Sequence, residues 1–165
     1  MHKARLRPAE DADSAGMIRL IDAIFAESPG CVLDVDLEEP ELRSPASSFE
    51  RCWVLDLDGE TVGCGALAVH PGKSGAPMVE AKKIYVSRTL RRRGGGRALM
   101  EKVEEHARAI GAGALEIWTD TRFVEAHAFY ERLGYRRTGR QRDLNDLSNT
   151  TEYHYRKLLR EPGPQ

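Results

Sequence analysis

Arg91-Arg92-Arg93-Gly94-Gly95-Gly96-Arg97 is the segment of this chain whose residue types best suit ligand chemistry. It lies between a strand-like run and an amphipathic helical run. Three consecutive glycines let the backbone turn sharply and leave no β-carbons between a ligand and the amides. The first N–H groups of the following helix have no partner within it and carry the positive end of its dipole. Such a turn suits an anion, a pyrophosphate above all, and the arginines add charge around it. A nucleotide P-loop would need Gly-Lys-Ser/Thr, but Gly96 is followed by Arg97-Ala98. The dinucleotide pattern GxGxxG fails as well, because Leu99 stands where its third glycine belongs. An Arg/Gly-rich surface turn and a weak RNA-binding patch are the other readings of these residues.

Other reactive residue types are sparse. Cys31, Cys52 and Cys64 lack CxxC spacing, and the last two lie in apolar runs that suit reduced, mostly buried thiols. Cys64 has no adjacent base and reads as a small buried residue. The five histidines are scattered, none at metal spacing with another ligand, so no metal is expected. His70, His106, His127 and His154 are read as solvated, with His106 on a long helix and His127 on a polar helix face.

The elements that must position these groups follow from periodicity and turn residues. Lys3–Arg7 reads as a short strand ended by Pro8. Asp11 or Asp13 can cap a helix with Met17, Ile18, Ile21, Ile24 and Phe25 at helical spacing, which Pro29-Gly30 stops. An acidic, proline-punctuated loop runs to Ser48, with a short helix near Pro40–Leu42. Cys52–Leu57 and Thr61–Val69 flank Asp58-Gly59, a two-residue hairpin turn. After a loop from His70 to Pro77, Val79–Val86 forms a fourth strand. A helix from about Arg97 to Ile110 buries Leu99, Val103 and Ile110 and turns Glu101, Lys102, Glu104 and Glu105 outward. Ala114–Thr119 is a fifth strand, and a helix from about Val124 to Leu133 ends at Gly134. Tyr135–Arg142 and Thr151–Leu159 are the final strands. This order predicts an α+β fold with one mixed sheet and helices on both faces.

A second motif now joins the glycine-rich turn. Read as Arg91-x-x-Gly94-x-Gly96, the turn resembles the Gln/Arg-x-x-Gly-x-Gly/Ala signature of the GNAT superfamily of N-acetyltransferases. Ala126-His127-Ala128-Phe129-Tyr130-Glu131-Arg132-Leu133-Gly134-Tyr135 resembles that family's A-x-x-[FL]-Y-E-x-L-G-[FY], in the right order and at family-like spacing. Ile84-Tyr85-Val86 resembles the end of its fourth strand. The resemblance covers about Val79 to Tyr135, and the first helix and the Trp53–Val69 hairpin extend it more loosely. It implies a GNAT-like, mostly antiparallel sheet of about seven strands, with acetyl-CoA inserted where the fourth and fifth strands splay apart. Backbone groups of Ile84, Tyr85 and Val86 would hold the pantetheine arm. Arg91, Arg92, Arg93, Gly94, Gly95, Gly96 and Arg97 would hold the pyrophosphate. It further implies direct transfer to an amine in a ternary complex, with a small amine or amino acid as the leading acceptor. A protein amino group and a non-catalytic acyl-CoA-binding module are the alternatives, and a homodimer is compatible.

The resemblance also names two candidates for proton transfer. Glu80, eleven residues before Arg91, stands where several members carry a catalytic glutamate. Strand alternation puts Glu80, Lys82, Ile84 and Val86 on one face unless a bulge intervenes. The competing role is an exposed charge paired with Lys82 or Lys83. Tyr130 stands where family members carry a tyrosine that protonates the departing thiolate, and its other role is a core aromatic. Phe123 replaces an asparagine common in the family, so one amide contact to pantetheine is missing. Asp34, Asp36, Glu38, Glu39 and Glu41 either draw a cationic acceptor or form a solvated loop, and Asp143–Asn149 places polar groups near a plausible substrate mouth.

Composition bounds these readings. At 165 residues the chain fits one domain over 1–160, with a frayed tail at 161–165. A hydrophobic share of 41% with 31% charged residues is that of a globular protein. A net charge of −1 argues against general affinity for nucleic acid or anionic membrane. Without an apolar leader or a run of membrane length, a cytoplasmic location is expected.

Overall fold

In the computed structural model, which describes residues 2–73 and 75–159, β1 (Arg5–Pro8) leads through a 3₁₀ turn into α1 (Ser14–Phe25). Met17, Leu20, Ile21 and Ile24 recur at helical spacing and form the buried face of α1. Asp13 occupies the N-cap position, but its carboxylate accepts from Arg7 and from the Glu10 amide instead. Asp11 serves a later turn, α2 (Pro45–Ser48), by accepting from the Ser47 amide at 2.9 Å. Strands β2 (Arg51–Leu57) and β3 (Glu60–His70) follow as a hairpin. Asp58 and Gly59 at its tip take φ of 52° and 88°, the paired positive values of a type I′ turn. Next come β4 (Met78–Val86), α3 (Gly95–Ala109), β5 (Ala114–Asp120), α4 (Val124–Arg132), β6 (Arg136–Asp143) and β7 (Thr151–Leu158). The tail at 161–165 lies outside the described residues.

The seven strands form one sheet in the order β1-β2-β3-β4-β5-β7-β6, antiparallel except for the β4–β5 pair. Two apolar clusters sandwich it. On one face Leu99, Met100, Val103 and Ala107 of α3 pack with Leu55, Leu67, Val79, Ala81, Leu115 and Ile117, joined by Tyr130 of α4. On the other, the buried face of α1 packs with Cys52, Val54, Cys64 and Ala66. Helix α1 lies over β3 and β4, while every residue of the edge strand β6 is exposed.

The feature that shapes the site is the way β4 leaves β5. Their ladder comprises Val79–Leu115, Glu80–Glu116 and Ala81–Ile117. It stops there, although β4 continues to Val86 and β5 to Asp120. The cause is a bulge. Tyr85 pairs with Cys64 and Lys82 with Ala66, so Lys83 and Ile84 together oppose Gly65. Lys83 takes φ of 57°, and the bulged strand bends away with increased twist. A β-carbon on Gly65 would sit 2.9 Å from Ile84 Cδ1, so a larger residue there would push the Ile84 side chain aside. Lys83 Nζ is held by Glu39 at 2.9 Å and Glu41 at 3.1 Å, below the surface. Burial alone would lower its pKa, but the Glu39 and Glu41 carboxylates outweigh that and raise it. The bulge also corrects simple alternation. Ile84 and Val86 join the α3 cluster and Tyr85 the α1 cluster, so Ile84 and Val86 do not share a face with Glu80.

Candidate active site

Helix α3 begins at Gly95, two residues earlier than its periodicity suggests, because Gly94 caps it at φ 85°. Ala98 N–H is the first to close a helical bond, onto the Gly94 carbonyl at 3.0 Å. The amides of Gly95, Gly96 and Arg97 therefore lack intrahelical acceptors and sit at the positive end of the dipole. The three glycines have different causes. A β-carbon on Gly94 would meet nothing within 4 Å. On Gly95 it would lie 2.9 Å from Leu55 Cδ1, and on Gly96 3.1 Å from Phe129 Cζ. Gly95 and Gly96 thus also allow α3 to pack on β2 and α4.

The arginines divide likewise. Arg91 donates from Nε to the Val86 carbonyl at 3.1 Å and from Nη1 to Glu27 at 3.0 Å, tying the end of β4 to the residues after α1. Arg92, Arg93 and Arg97 are exposed. Beside them, the edge of Ile84–Val86 that faces β5 has no strand partner among the described residues. An open strand edge running to a helix N-terminus fits an extended amide-bearing arm that ends in a pyrophosphate.

Glu80 lies on the α1-side face where the β4–β5 ladder ends. It is buried, at 9% relative exposure, and its Oε2 is 3.1 Å from His70 Nε2. Neither neighbouring lysine neutralises it among the described ion pairs, since Lys83 turns to Glu39 and Glu41. The same face carries Glu116, Trp118 and Asp120 from β5, opposite Arg156, His154 and Glu152 of β7. Arg122 holds Asp120 at 2.8 Å, and Arg142 holds Glu152 at 2.7 Å. Burial raises the Glu152 pKa, opposed by Arg142 and reinforced by Glu80 and Asp120.

Tyr130 lies on the opposite face, in the α3 cluster, with its ring 6.2 Å from that of Tyr155. Tyr155 pairs with Ile117, the last β5 residue of the β4–β5 ladder, so Tyr130 packs at the level of the splay. Its Oη has no hydrogen-bond partner among the described residues, and burial raises its pKa. Tyr135 is the contrasting case, donating to Glu104 at 2.9 Å. Glu104 is accordingly buried rather than turned outward, and Lys157 also reaches it at 2.9 Å. Phe123, at the N-cap of α4, makes no side-chain capping bond and packs on Phe25 with ring centroids 6.0 Å apart.

Several polar residues take places that periodicity misjudges. His127 is buried between Tyr153 and Tyr155 and bonds the Asp120 carbonyl at 2.9 Å. His154 is buried against Trp118, with Nδ1 2.7 Å from Thr138 Oγ1. His106 is partly buried beside Glu50, 3.3 Å away, whereas His70 is exposed as expected and faces Glu80. In the acidic loop, Asp36 pairs with Arg43, Glu39 and Glu41 with Lys83, and Glu38 accepts from the Leu147 amide. Burial pushes the Cys52 thiol up to about 12, and it raises the Cys64 thiol as well, so both are protonated at neutral pH.

The splayed parallel pair, the free amides of α3 and the tyrosine of α4 all lie within residues 17–135, which match the acetyltransferase (GNAT) family model. The chain belongs to the acetyltransferase (GNAT) family. This is a family of acetyl-CoA-dependent N-acetyltransferases, and the open edge of β4 with the α3 N-terminus fits that co-substrate. Human N-acetylaspartate synthetase is 35% identical over 104 residues, 63% of this chain and 32% of the synthetase. The chain therefore spans about a third of the length of that relative. A Staphylococcus aureus GNAT acetyltransferase superposes with a TM-score of 0.80 at 18% identity, covering 95% of this chain and 99% of the other. The yncA protein of Salmonella typhimurium, solved with its cofactor acetyl-CoA, superposes at 0.74 with 15% identity, covering 98% and 97%. At such identities the likeness is one of fold. Among the described residues, no helix is long and apolar enough to cross a membrane, and no group of three or more His, Cys, Asp or Glu is placed to hold a metal.

Proposed function

We propose that this protein transfers an acetyl group from acetyl-CoA directly to the amine nitrogen of a small molecule, within a ternary complex. Acetyl-CoA supplies the activated thioester, and the chain supplies positioning and proton transfer. Ile84–Val86 offers main-chain groups to the pantetheine arm. The first amides of α3, with Arg92, Arg93 and Arg97, take the pyrophosphate, while Arg91 holds that turn against α1. Glu80 accepts a proton from the acceptor ammonium on the α1-side face, oriented by His70. Tyr130 donates a proton to the sulfur on the other face. Base and acid on opposite faces of the sheet, at the level where β4 leaves β5, suit a reaction that takes in an amine on one side and releases a thiol on the other.

A small acceptor is favoured over a peptide by one observation. A peptide would need a long groove between the α1 region and the β6–β7 hairpin. Here the two sides are joined. Ser148 Oγ accepts from Val32 N–H at 2.8 Å and contacts the Val32 carbonyl at 3.1 Å, and Leu147 N–H donates to Glu38 at 3.2 Å. The name of the human relative, N-acetylaspartate synthetase, agrees with a small acceptor.

Glu80→Gln tests the base. The substitution keeps the side-chain size and removes the charge, so turnover falls while acetyl-CoA affinity, measured by calorimetry, is unchanged. Activity recovers in part at high pH, where the amine is already neutral. Full turnover of this variant across the pH range would remove Glu80 from the role.

A further inference from the structure

We propose that the open α1-side face of β5–β7–β6 is an acceptor subsite for a carboxylate, so that the amine substrate is an amino acid or a similar amino carboxylate. This deepens the small-acceptor reading above and rests on it. The observation is a guanidinium over Trp118 that is unpaired among the described residues, on a face that also carries Arg156 opposite Glu116, and Asp120 and Glu152 held by Arg122 and Arg142. Along the same face stand two carboxylates without a guanidinium partner among the described residues, Glu80 on β4 beside His70 and Glu116 on β5, 3.3 Å from His154 Nε2. That imidazole is held below its ordinary pKa by burial, so at neutral pH it adds no full positive charge. On the side toward β6, Arg142 and Arg140 place their guanidinium carbons 4.2 and 5.2 Å from the Trp118 ring centroid. Arg142 spends one N–H on Glu152. Arg140 has no ion pair among the described residues, and its charge is uncompensated on this face.

The dimensions suit a short molecule. Glu80 pairs with Glu116, two residues before Trp118, so the Glu80 and Trp118 backbones are offset by one strand and two residues. That is about 5 Å across and about 7 Å along, or roughly 8 Å in all. Side chains reaching inward shorten the gap between the base and the guanidinium. An ammonium at Glu80 and a carboxylate at Arg140 would then be held at once, with Trp118 as the floor. Arg140 is the guanidinium over the Trp118 ring that has no ion pair among the described residues, and its pairing with a carboxylate would be charge-assisted. Binding at both ends also fixes which amine faces the thioester.

The test uses the intact protein and two readouts. CoA release is measured with amino acids and their matching carboxamides, compared at equal concentrations of neutral amine. Succinate, which has no amine, is titrated separately while tryptophan fluorescence is followed. Trp118 reports on the subsite and Trp53 is buried in the core. The expected result is a preference for the carboxylate that Arg140→Gln abolishes, through a KM increase of about 10- to 100-fold at near-constant kcat. Carboxamide KM and acetyl-CoA affinity stay unchanged. Arg137→Gln, on the other face over Tyr153, retains the preference. Succinate should quench wild type and not Arg140→Gln. Turnover without carboxylate preference, or a preference that survives Arg140→Gln, overturns the subsite and leaves acetyl transfer standing. Quenching that depends on Arg140, with no amine turned over, supports the subsite and overturns the acceptor reading. Absence of quenching by succinate overturns the subsite whatever the turnover.

Discussion

Replacing Tyr130 and Tyr135 separately by phenylalanine removes the same atom from two buried rings that lie 6.1 Å apart, with opposite consequences. Tyr135 Oη donates to Glu104 at 2.9 Å, a bond to a carboxylate and therefore worth about 1.5–3 kcal/mol. Glu104 keeps Lys157 and Arg108, so the lower end applies. A loss of about 1.5 kcal/mol lowers the melting temperature by roughly 3–6 °C in a domain of this size. Tyr130 Oη has no protein partner among the described residues and is not fully enclosed, so Tyr130→Phe removes a hydroxyl that water can reach and breaks no protein bond. Its stability should change by less than about 0.5 kcal/mol, a shift of roughly 2 °C or less in melting temperature. If that hydroxyl protonates the thiolate, its loss lowers turnover by roughly 10²–10⁴-fold, equivalent to about 2.7–5.5 kcal/mol of barrier. Tyr135→Phe should retain turnover. Thermal melts and CoA-release assays on the two proteins read both quantities. Wild-type turnover in Tyr130→Phe would refute the acid role. A melting loss equal to that of Tyr135→Phe would refute the unpartnered hydroxyl on which the contrast rests.

The two other predictions concern pH and the glycine-rich turn. Burial holds the His154 imidazole below its ordinary value, reinforced by Arg140 and Arg142 and opposed by Glu116. Its folded pKa is depressed, so the associated stability is present above about pH 6.5 and is lost as pH falls. Melting temperature should drop between pH 7.5 and 5.5 in wild type and drop less in His154→Gln; equal slopes would exclude His154 as the source. Gly94→Ala should cost about 1–2 kcal/mol through its left-handed backbone while leaving the packing around it intact, because its β-carbon meets no protein atom. Gly96→Ala presses on Phe129 and shifts the α3 amides, so calorimetry should show the larger loss of affinity there. The reverse order would place the ligand against Gly94.

Much of this molecule is written locally. Alternation, helical period and the Asp58-Gly59 turn place the seven strands and main helices to within a few residues, because each depends on neighbours along the chain. The two family motifs survive for the same reason. One is a turn that opens a helix, and the other is a single helix with its cap. What local pattern leaves open is decided by pairing across strands. Register alone makes Lys83 and Ile84 share one partner, and that bulge moves Ile84 and Val86 off the face of Glu80 and opens the gap beside β5. Register likewise sets Glu152 opposite Asp120 and His154 opposite Trp118, and brings His70 to Glu80. The alternation Glu152, His154, Arg156 in β7 marks a polar face in sequence, but not which strand it meets. Burial of His127, His154 and Glu104 depends on partners up to dozens of residues distant, which a helical or strand period cannot show. For Gly95 and Gly96 the sequence suggests ligand clearance; Leu55 and Phe129, brought up by the fold, add a packing reason that no neighbour in sequence reveals. The sequence by itself determined the elements and the family, because those are local. Only the tertiary structure decided which side chains face each other at the splay, because that depends on strand register and on a bulge no single segment encodes.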